Sequence, residues 1–284
     1  MDKYKNKMGV GTETGALVGG NQKSEAFSRV SLTANARSIF LPILLAVGVL
    51  GCWELAVRLS NIPQVILPAP TAILEIIGAQ HEILLRHAIP TVLEAAAGFL
   101  IACTLGIALA VWLSYSRLAR EALYPNLVFF QLIPKIALAP LFIIWLGIGT
   151  ESRLAFSVFI SFFPIVIATT AGFSNVDRNM IKLCRSLTAT EWQTFKSVKF
   201  PSALPYIFSG MKVAMTLAII GVIIGEFITA QRGLGYLIVF ATARAETGVA
   251  MAAIVILCGG GLLLYGVVAL AENLANRRYG VPRG

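Results

Sequence analysis

The sequence predicts an all-α integral membrane protein of about six transmembrane helices, N-in and C-in, with a helical cytoplasmic loop. Three observations lead there. Hydrophobic residues make up 57% of the 284 and charged residues 13%, where a soluble domain carries about 25% charged and can cover itself with a polar surface. Apolar runs of bilayer-crossing length recur along the chain. Between the fourth and fifth runs, residues 174–205 form a basic connector with helical periodicity.

The runs fall at about 39–58, 88–113, 126–147, 153–173, 206–228 and 249–272. Each is roughly 19–26 residues long, against the ~20 that cross a hydrocarbon core. The first begins near Phe40, too late and too long for a cleavable signal. Residues 1–38 are polar, Gly-rich and basic, and read as a mobile cytoplasmic tail with an interfacial helix near 24–37; residues 276–284 read as a cytoplasmic C-terminal tail. Between spans one and two, Pro68, Pro70 and Thr71 open a short outer helix to about Gln80, with Thr71 as its cap. Pro134 and Pro140 interrupt the third span and Pro164 the fourth, which membrane helices tolerate where they pack on neighbours or line a cavity.

Charge orients the chain. Cytoplasmic segments hold sixteen of the 23 Lys and Arg and the opposite side five, with Lys135 and Lys212 inside spans. The net +9 therefore reads as topology and contact with anionic lipid rather than nucleic-acid binding. The lipid bilayer is the expected partner and nucleic acid is not. Cys52, Cys103, Cys184 and Cys258 show no metal-ligand spacing and read as reduced packing residues. His81 and His87 have no ligand partners at metal spacing. No catalytic constellation and no Gly-x-x-x-x-Gly-Lys-Ser/Thr phosphate loop occurs, so the chain cannot hydrolyse ATP alone.

Within 174–205, Ile181, Cys184, Leu187, Trp192, Phe195 and Val198 recur about every three residues, a spacing that places them on one helical face. Thr190 is a candidate N-cap for a helix starting at Glu191. The expected form is helix, tight turn, helix, then Pro201 and Pro205 leading into span five. Such a hairpin either rests on the inner membrane surface or docks a soluble partner, with Trp192 and Phe195 as aromatic anchors.

Charge within a span costs roughly 2.5–3.5 kcal/mol, which makes it a functional candidate. Pro134, Lys135, Pro140 and Glu226 are the translocation-path candidates. Lys135 either faces a wet cavity, where it suits an anionic solute, or snorkels inward or meets a neighbour's carbonyls. Lys212 reads as snorkelling. Glu226 either pairs with Arg232, contacts a binding protein or closes an outer gate. Glu54 and Arg58 support one another at i, i+4, Gly221 and Gly225 mark close helix packing, and Glu94 has no assignment.

The run Lys182 to Phe195, followed by Phe200, Pro201, Leu204, Pro205 and Gly210, resembles the "EAA" loop of binding-protein-dependent ABC importer permeases. The stretches Gln131–Gly149, Phe163-Pro164-Ile165, Gly225-Glu226-Phe227 and Gly233-Leu234-Gly235 look like the sulfonate/taurine/nitrate-type branch, and the likeness covers about residues 40–275. The family's loop glutamate falls at Lys182, its alanines at Leu183 and Cys184, and its glycine at Thr188, which must then turn without glycine's freedom of φ.

The resemblance implies a transmembrane permease domain over 39–275 in a bacterial plasma (inner) membrane, whose 174–205 loop forms coupling helices that dock on ABC ATPase subunits. Lys182, Arg185, Leu187, Thr188, Ala189, Trp192, Phe195, Pro201, Pro205 and Gly210 are the matching loop positions. It further implies a second permease copy as a homodimer, an extracytoplasmic solute-binding protein, and ATP and Mg held by the partner subunit, with no cofactor in this chain. The implied solute is an anion such as a sulfonate, taurine or nitrate, with a pyrimidine vitamin precursor or aromatic acid as the alternative. A self-sufficient secondary transporter or channel is the rival function; the sequence has no internal repeat to support it.

Overall fold

The computed structural model describes residues 20–229 and 231–279, with side chains placed for 40–228 and 231–279. The expected tail residues 1–19 and 280–284 lie outside these. The chain divides into two units, residues 1–61 and 62–284. Among its described residues the first holds one helix, α1 (Gly20–Leu59), whose segment Phe40–Leu59 is long and apolar enough to span a membrane. The helix continues through the expected tail boundary at residue 38. Near its end Arg58 Nε meets Glu54 Oε1 at 2.5 Å, the i, i+4 pair that the spacing gives.

The second unit begins with α2 (Pro70–Ala79) and α3 (His81–Tyr115). Pro70 sits in the first turn of α2 and the N-cap is Ala69, so Thr71 is not the cap; it falls one residue inside the helix. The chain continues with α4 (Arg117–Leu132), α5 (Ala139–Leu146), α6 (Thr150–Ser174), α7 (Arg178–Ser186) and α8 (Glu191–Thr194). It closes with α9 (Phe200–Thr229), α10 (Leu234–Ala243) and α11 (Thr247–Tyr279). Among the described residues five helices are long and apolar enough to cross a membrane, or six with α4 and α5 counted as one bent crossing.

The third expected span, interrupted by Pro134 and Pro140, is this bent pair. The two halves meet at 87°, and Pro134 is the cause. Proline disfavours the helical region for the residue before it, and Ile133 is extended at φ −63°, ψ 133°. A 3-10 turn (Lys135–Leu138) follows, and Pro140 lies in the first turn of α5, where its missing N–H costs nothing. Pro164 and Pro205, in contrast, lie inside unbroken α6 and α9.

The core is the face of α9 packed against α6 and α3. Phe99, Ala102, Cys103, Ile165, Phe208, Met215, Ala218 and Val222 meet there, with Leu264 and Val268 from α11. Glycines set the α6–α9 spacing. A Cβ on Gly221 would lie 2.8 Å from Ser157 Cα, one on Gly225 2.7 Å from Arg153 Cγ, and one on Gly210 2.7 Å from Ala168 Cβ. Between lipid-embedded helices there is no hydrophobic drive to associate, so close backbone approach must supply the contact energy. The Ser157 hydroxyl adds a hydrogen bond to the carbonyl of Ala218 at 3.0 Å.

Lys212 pairs with Glu272 of α11 at 2.5 Å, and its ammonium lies 6.0 Å from the centre of the Tyr265 ring. A carboxylate two helices on in sequence is beyond the reach of a local pattern.

Gly221→Leu should splay the α6–α9 pair, because Ser157 Cα, a backbone atom that cannot yield, lies 2.8 Å from a Cβ there beside the Ile160 side chain; overpacking of this kind costs about 1–3 kcal/mol. The thermal midpoint of the purified chain should fall by several degrees. Gly259, with nothing within 4 Å of a built Cβ, is the control, and Gly259→Leu should leave the midpoint in place. Equal losses in both would mean that the seam is not close-packed.

Candidate functional site

Functional features gather at the two ends of the α3–α6–α9 bundle. At one end lie the last turns of α3 and α6, the start of α9, and the 174–205 connector. Asp177 caps α7 by accepting from the N–H of Asn179 at 2.8 Å. The helix stops in a two-bond turn in which Ala189 N–H donates to the Cys184 carbonyl and Thr188 N–H to that of Arg185, both at 3.0 Å. This closure needs a left-handed residue, and Thr188 supplies it at φ 55°, the position where the resemblance places glycine. Thr190 then starts α8 as expected. Its hydroxyl accepts from Gln193 N–H at 3.2 Å and Gln193 Oε1 accepts from Thr190 N–H at 2.8 Å, a reciprocal cap.

The expected apolar face divides in two. Phe195 is 7% exposed and packs into the bundle against Tyr115, Phe173 and Phe200, with ring centroids 5.5–6.2 Å apart. Val198 is buried beside it. Trp192 is 65% exposed, stacked on Phe195 at 5.7 Å. Of the two expected anchors, then, Phe195 seats the loop and Trp192 points away. Met180, Leu183 and Leu187 are exposed with it, as are Lys182, Arg185, Glu191 and Lys196, so the loop presents apolar and mainly cationic side chains together. Ala189 lies half-buried in the turn.

The second loop helix does not end before span five. The helix runs unbroken over Glu191–Ile228, passing Pro201 and Pro205 through a π turn (Phe195–Lys199) in which Phe200 N–H reaches back to the Phe195 carbonyl. The wider turn takes up the register that Pro201 breaks. Lys199 braces it, 3.5 Å from Glu191 and 5.8 Å from the Tyr115 ring centre. Gly210, one of the ten matching loop positions, lies in the α6–α9 seam instead.

At the opposite end three successive backbone N–H groups open α10, and each finds a side chain. Gly233 N–H donates to His87 Nδ1 at 3.1 Å. Leu234 N–H donates to the Thr91 hydroxyl at 2.9 Å, and Gly235 N–H donates to Glu226 Oε2 at 2.7 Å. The Thr91 hydroxyl donates a hydrogen bond to Glu226 Oε1 at 2.7 Å. Glu226 is 2% exposed; its partners are Thr91 and Gly235, and the alternative pairing with Arg232 does not form. The glycines are forced: a Cβ on Gly233, at φ 113°, or on Gly235 would run into the Glu226 carboxylate. Beside it Arg153 makes a two-pronged pair with Glu94, Nε to Oε2 at 2.8 Å and Nη2 to Oε1 at 2.7 Å.

Of the other path candidates, Pro134 and Pro140 are exposed at the bend and Lys135 is half-buried. Lys135 Nζ donates to the Gln131 carbonyl at 3.1 Å and lies 5.3 Å from the Phe163 ring centre, so the carbonyl freed at the bend is taken by the lysine. Sequence reasoning missed α10, the Glu94–Arg153 pair and the roles of Thr91 and His87. A cleft of about 1290 Å3, lined by α3, the start of α6 and α10, opens beside them. Among the described residues no cluster of His, Cys, Asp or Glu could hold a metal ion.

Residues 102–277 match the family described as "Binding-protein-dependent transport system inner membrane component". The chain is 34% identical, over 79% of its length and 91% of the other's, to a Haemophilus influenzae protein named as an ABC transporter permease. It is 32% identical to the formylaminopyrimidine transport permease protein ThiX of Halalkalibacterium halodurans, over 82% of this chain and 93% of that one. It is 29% identical, over 81% and 84%, to a Bacillus subtilis protein named as the aliphatic sulfonates transport permease SsuC. Among solved structures, an inward-facing MetNI methionine ABC transporter superposes with a TM-score of 0.60 at 18% identity, covering 69% of this chain and 98% of that chain. This likeness carries the fold.

Two measurements check the geometry. Glu226→Ala should leave the Gly235 N–H unpaired in a buried place, at a cost of about 1–3 kcal/mol, while the Thr91 hydroxyl keeps the His87 carbonyl and the Leu234 N–H as partners. Protease should then cut 229–235 in a variant where it spares the native chain; equal resistance would mean that the carboxylate does not hold α10. Thr188→Gly should remove a left-handed strain of roughly 1 kcal/mol. Amide exchange across 183–193 should slow accordingly, and faster exchange would contradict the turn.

Proposed function

This chain belongs to the binding-protein-dependent transport system inner membrane components, as a multi-pass permease subunit of an ABC importer and not an enzyme, and we propose that it passes a small anion inward while a separate ATPase grips its 174–205 loop. One observation carries the docking assignment. Met180, Leu183, Leu187 and Trp192 are exposed on two helices that are capped at both starts and seated through Phe195. Apolar side chains set among Lys182, Arg185, Glu191 and Lys196, held rigid and left uncovered, are what a partner interface requires. ATP and Mg are the partner's ligands in this reading.

A second copy of the chain completes the channel. The exposure of α4, which buries no residue within the chain, supports it. A solute-binding protein delivers at the end opposite the loop, which the excess of Lys and Arg on the loop side places outside. Closure of the ATPase pair draws two loops together and tips the bundles between two packings. An organic or inorganic anion is the favoured solute, because a relative is named for aliphatic sulfonates and because Arg86, Arg153 and Arg232 line the far cleft. A pyrimidine precursor is the second reading, favoured by the relative named for formylaminopyrimidine.

In proteoliposomes with its ATPase, Leu183→Ala with Trp192→Ala should reduce transport-coupled ATP hydrolysis by roughly tenfold, the scale of losing an aromatic anchor, while membrane insertion and thermal midpoint stay at the native values. Undiminished coupling would refute the docking surface. Phe195→Ala, being a core truncation, should lower the midpoint as well, by about 3–5 kcal/mol of stability.

A further inference from the structure

The far cleft holds an unbalanced set of charges. Arg86, Arg153 and Arg232 line it together with one carboxylate, Glu94. That carboxylate spends both oxygens on Arg153. Among the described residues Arg86 and Arg232 have no ion-pair partner. Both are exposed to the cleft, and a guanidinium presents a planar fork of donors that fits a carboxylate, sulfonate or phosphate on two oxygens.

Beside them runs a ladder of rings. His87 and Tyr236 stack with centroids 5.9 Å apart and planes at 25°, and Tyr236 and Phe240 at 5.6 Å and 27°. The ladder is held before any ligand arrives. The Gly233 N–H fixes His87, and Tyr236 and Phe240 ride on α10, whose first turn is bound by Thr91 and Glu226. None of this is used by the loop at the other end. The cleft, at about 1290 Å3, exceeds the roughly 300–1,000 Å3 of ligand pockets, so a ring-bearing solute fits with its hydration.

We propose that this cleft is a binding site for a planar organic anion, its charged group between Arg86 and Arg232 and its rings on the His87–Tyr236–Phe240 face. The proposal deepens the anion reading of the importer and rests on it. It names the class within the anions: a flat, unsaturated body is preferred over an alkyl chain of the same charge, because only the former gains from the stacked face.

The test uses the full chain in lipid nanodiscs, with empty discs subtracted. Naphthalene-2-sulfonate and flavin mononucleotide are titrated by their own fluorescence. At least one should bind saturably, and butane-1-sulfonate at equal concentration should not displace it. Arg86→Gln with Arg232→Gln should weaken binding tenfold or more, and Tyr236→Leu several-fold, with thermal midpoints unchanged. No saturable binding of either planar anion overturns the proposal, as does equal binding by the double variant or equal affinity for the alkyl sulfonate. If the double variant binds the probe normally and loses only stimulation by the binding protein, the arginines serve a protein contact and the proposal falls. Coupling through Trp192 is read separately as ATP hydrolysis, so a silent cleft in a coupled permease would count against the site alone.

Discussion

The close approach of α6 and α9 is the constraint on which everything else rests. Gly210, Gly221 and Gly225 let the two backbones meet, and the Ser157 hydroxyl ties them across the seam. In lipid, apolar side chains gain little by touching each other instead of acyl tails, so shape and buried hydrogen bonds decide which helices stay together. This pair then fixes both ends. Phe173 and Phe200 come together below it to receive Phe195. Above it Arg153, pressed against Gly225, is delivered to Glu94 on α3.

The buried charged groups of the bundle are few and each has a partner, whereas the buried hydroxyls of Thr169 and Thr170 in α6 have none. An unpaired charge or N–H in a membrane interior is expensive, and the structure answers each with a partner from another helix: Glu94 with Arg153, Glu226 with Thr91 and Gly235, Lys212 with Glu272. These bonds therefore specify helix neighbours in a way that the apolar core does not. Removal of one partner leaves the other stranded, which makes the pairs mutually dependent.

Much of this could be read from the residue order, and the reasons for the rest are physical. Thr190 was legible as a cap because its partners lie within three residues. The Gly221–Gly225 seam was legible because small residues four apart have few other uses. Phe195 was not, since periodicity put it on one face with Trp192 and cannot say which of the two rings meets the bundle. Helix α10 escaped because its cap comes from Glu226, nine residues back, and from Thr91, 143 residues away. Pro134 was noticed, yet its effect turned on Ile133 being pushed into extended backbone, whereas Pro205 was absorbed within its helix.

The continuity of Glu191–Ile228 has a mechanical meaning. At ~1.5 Å per residue its 38 residues make a rod of roughly 57 Å. One end carries Trp192, and Glu226 stands one turn from the other. A rod of that length, tilted about its midpoint by roughly ten degrees, carries each tip some ~5 Å in opposite directions. Force applied at the loop would then reach the carboxylate that holds α10 by leverage, with no relay of side chains in between.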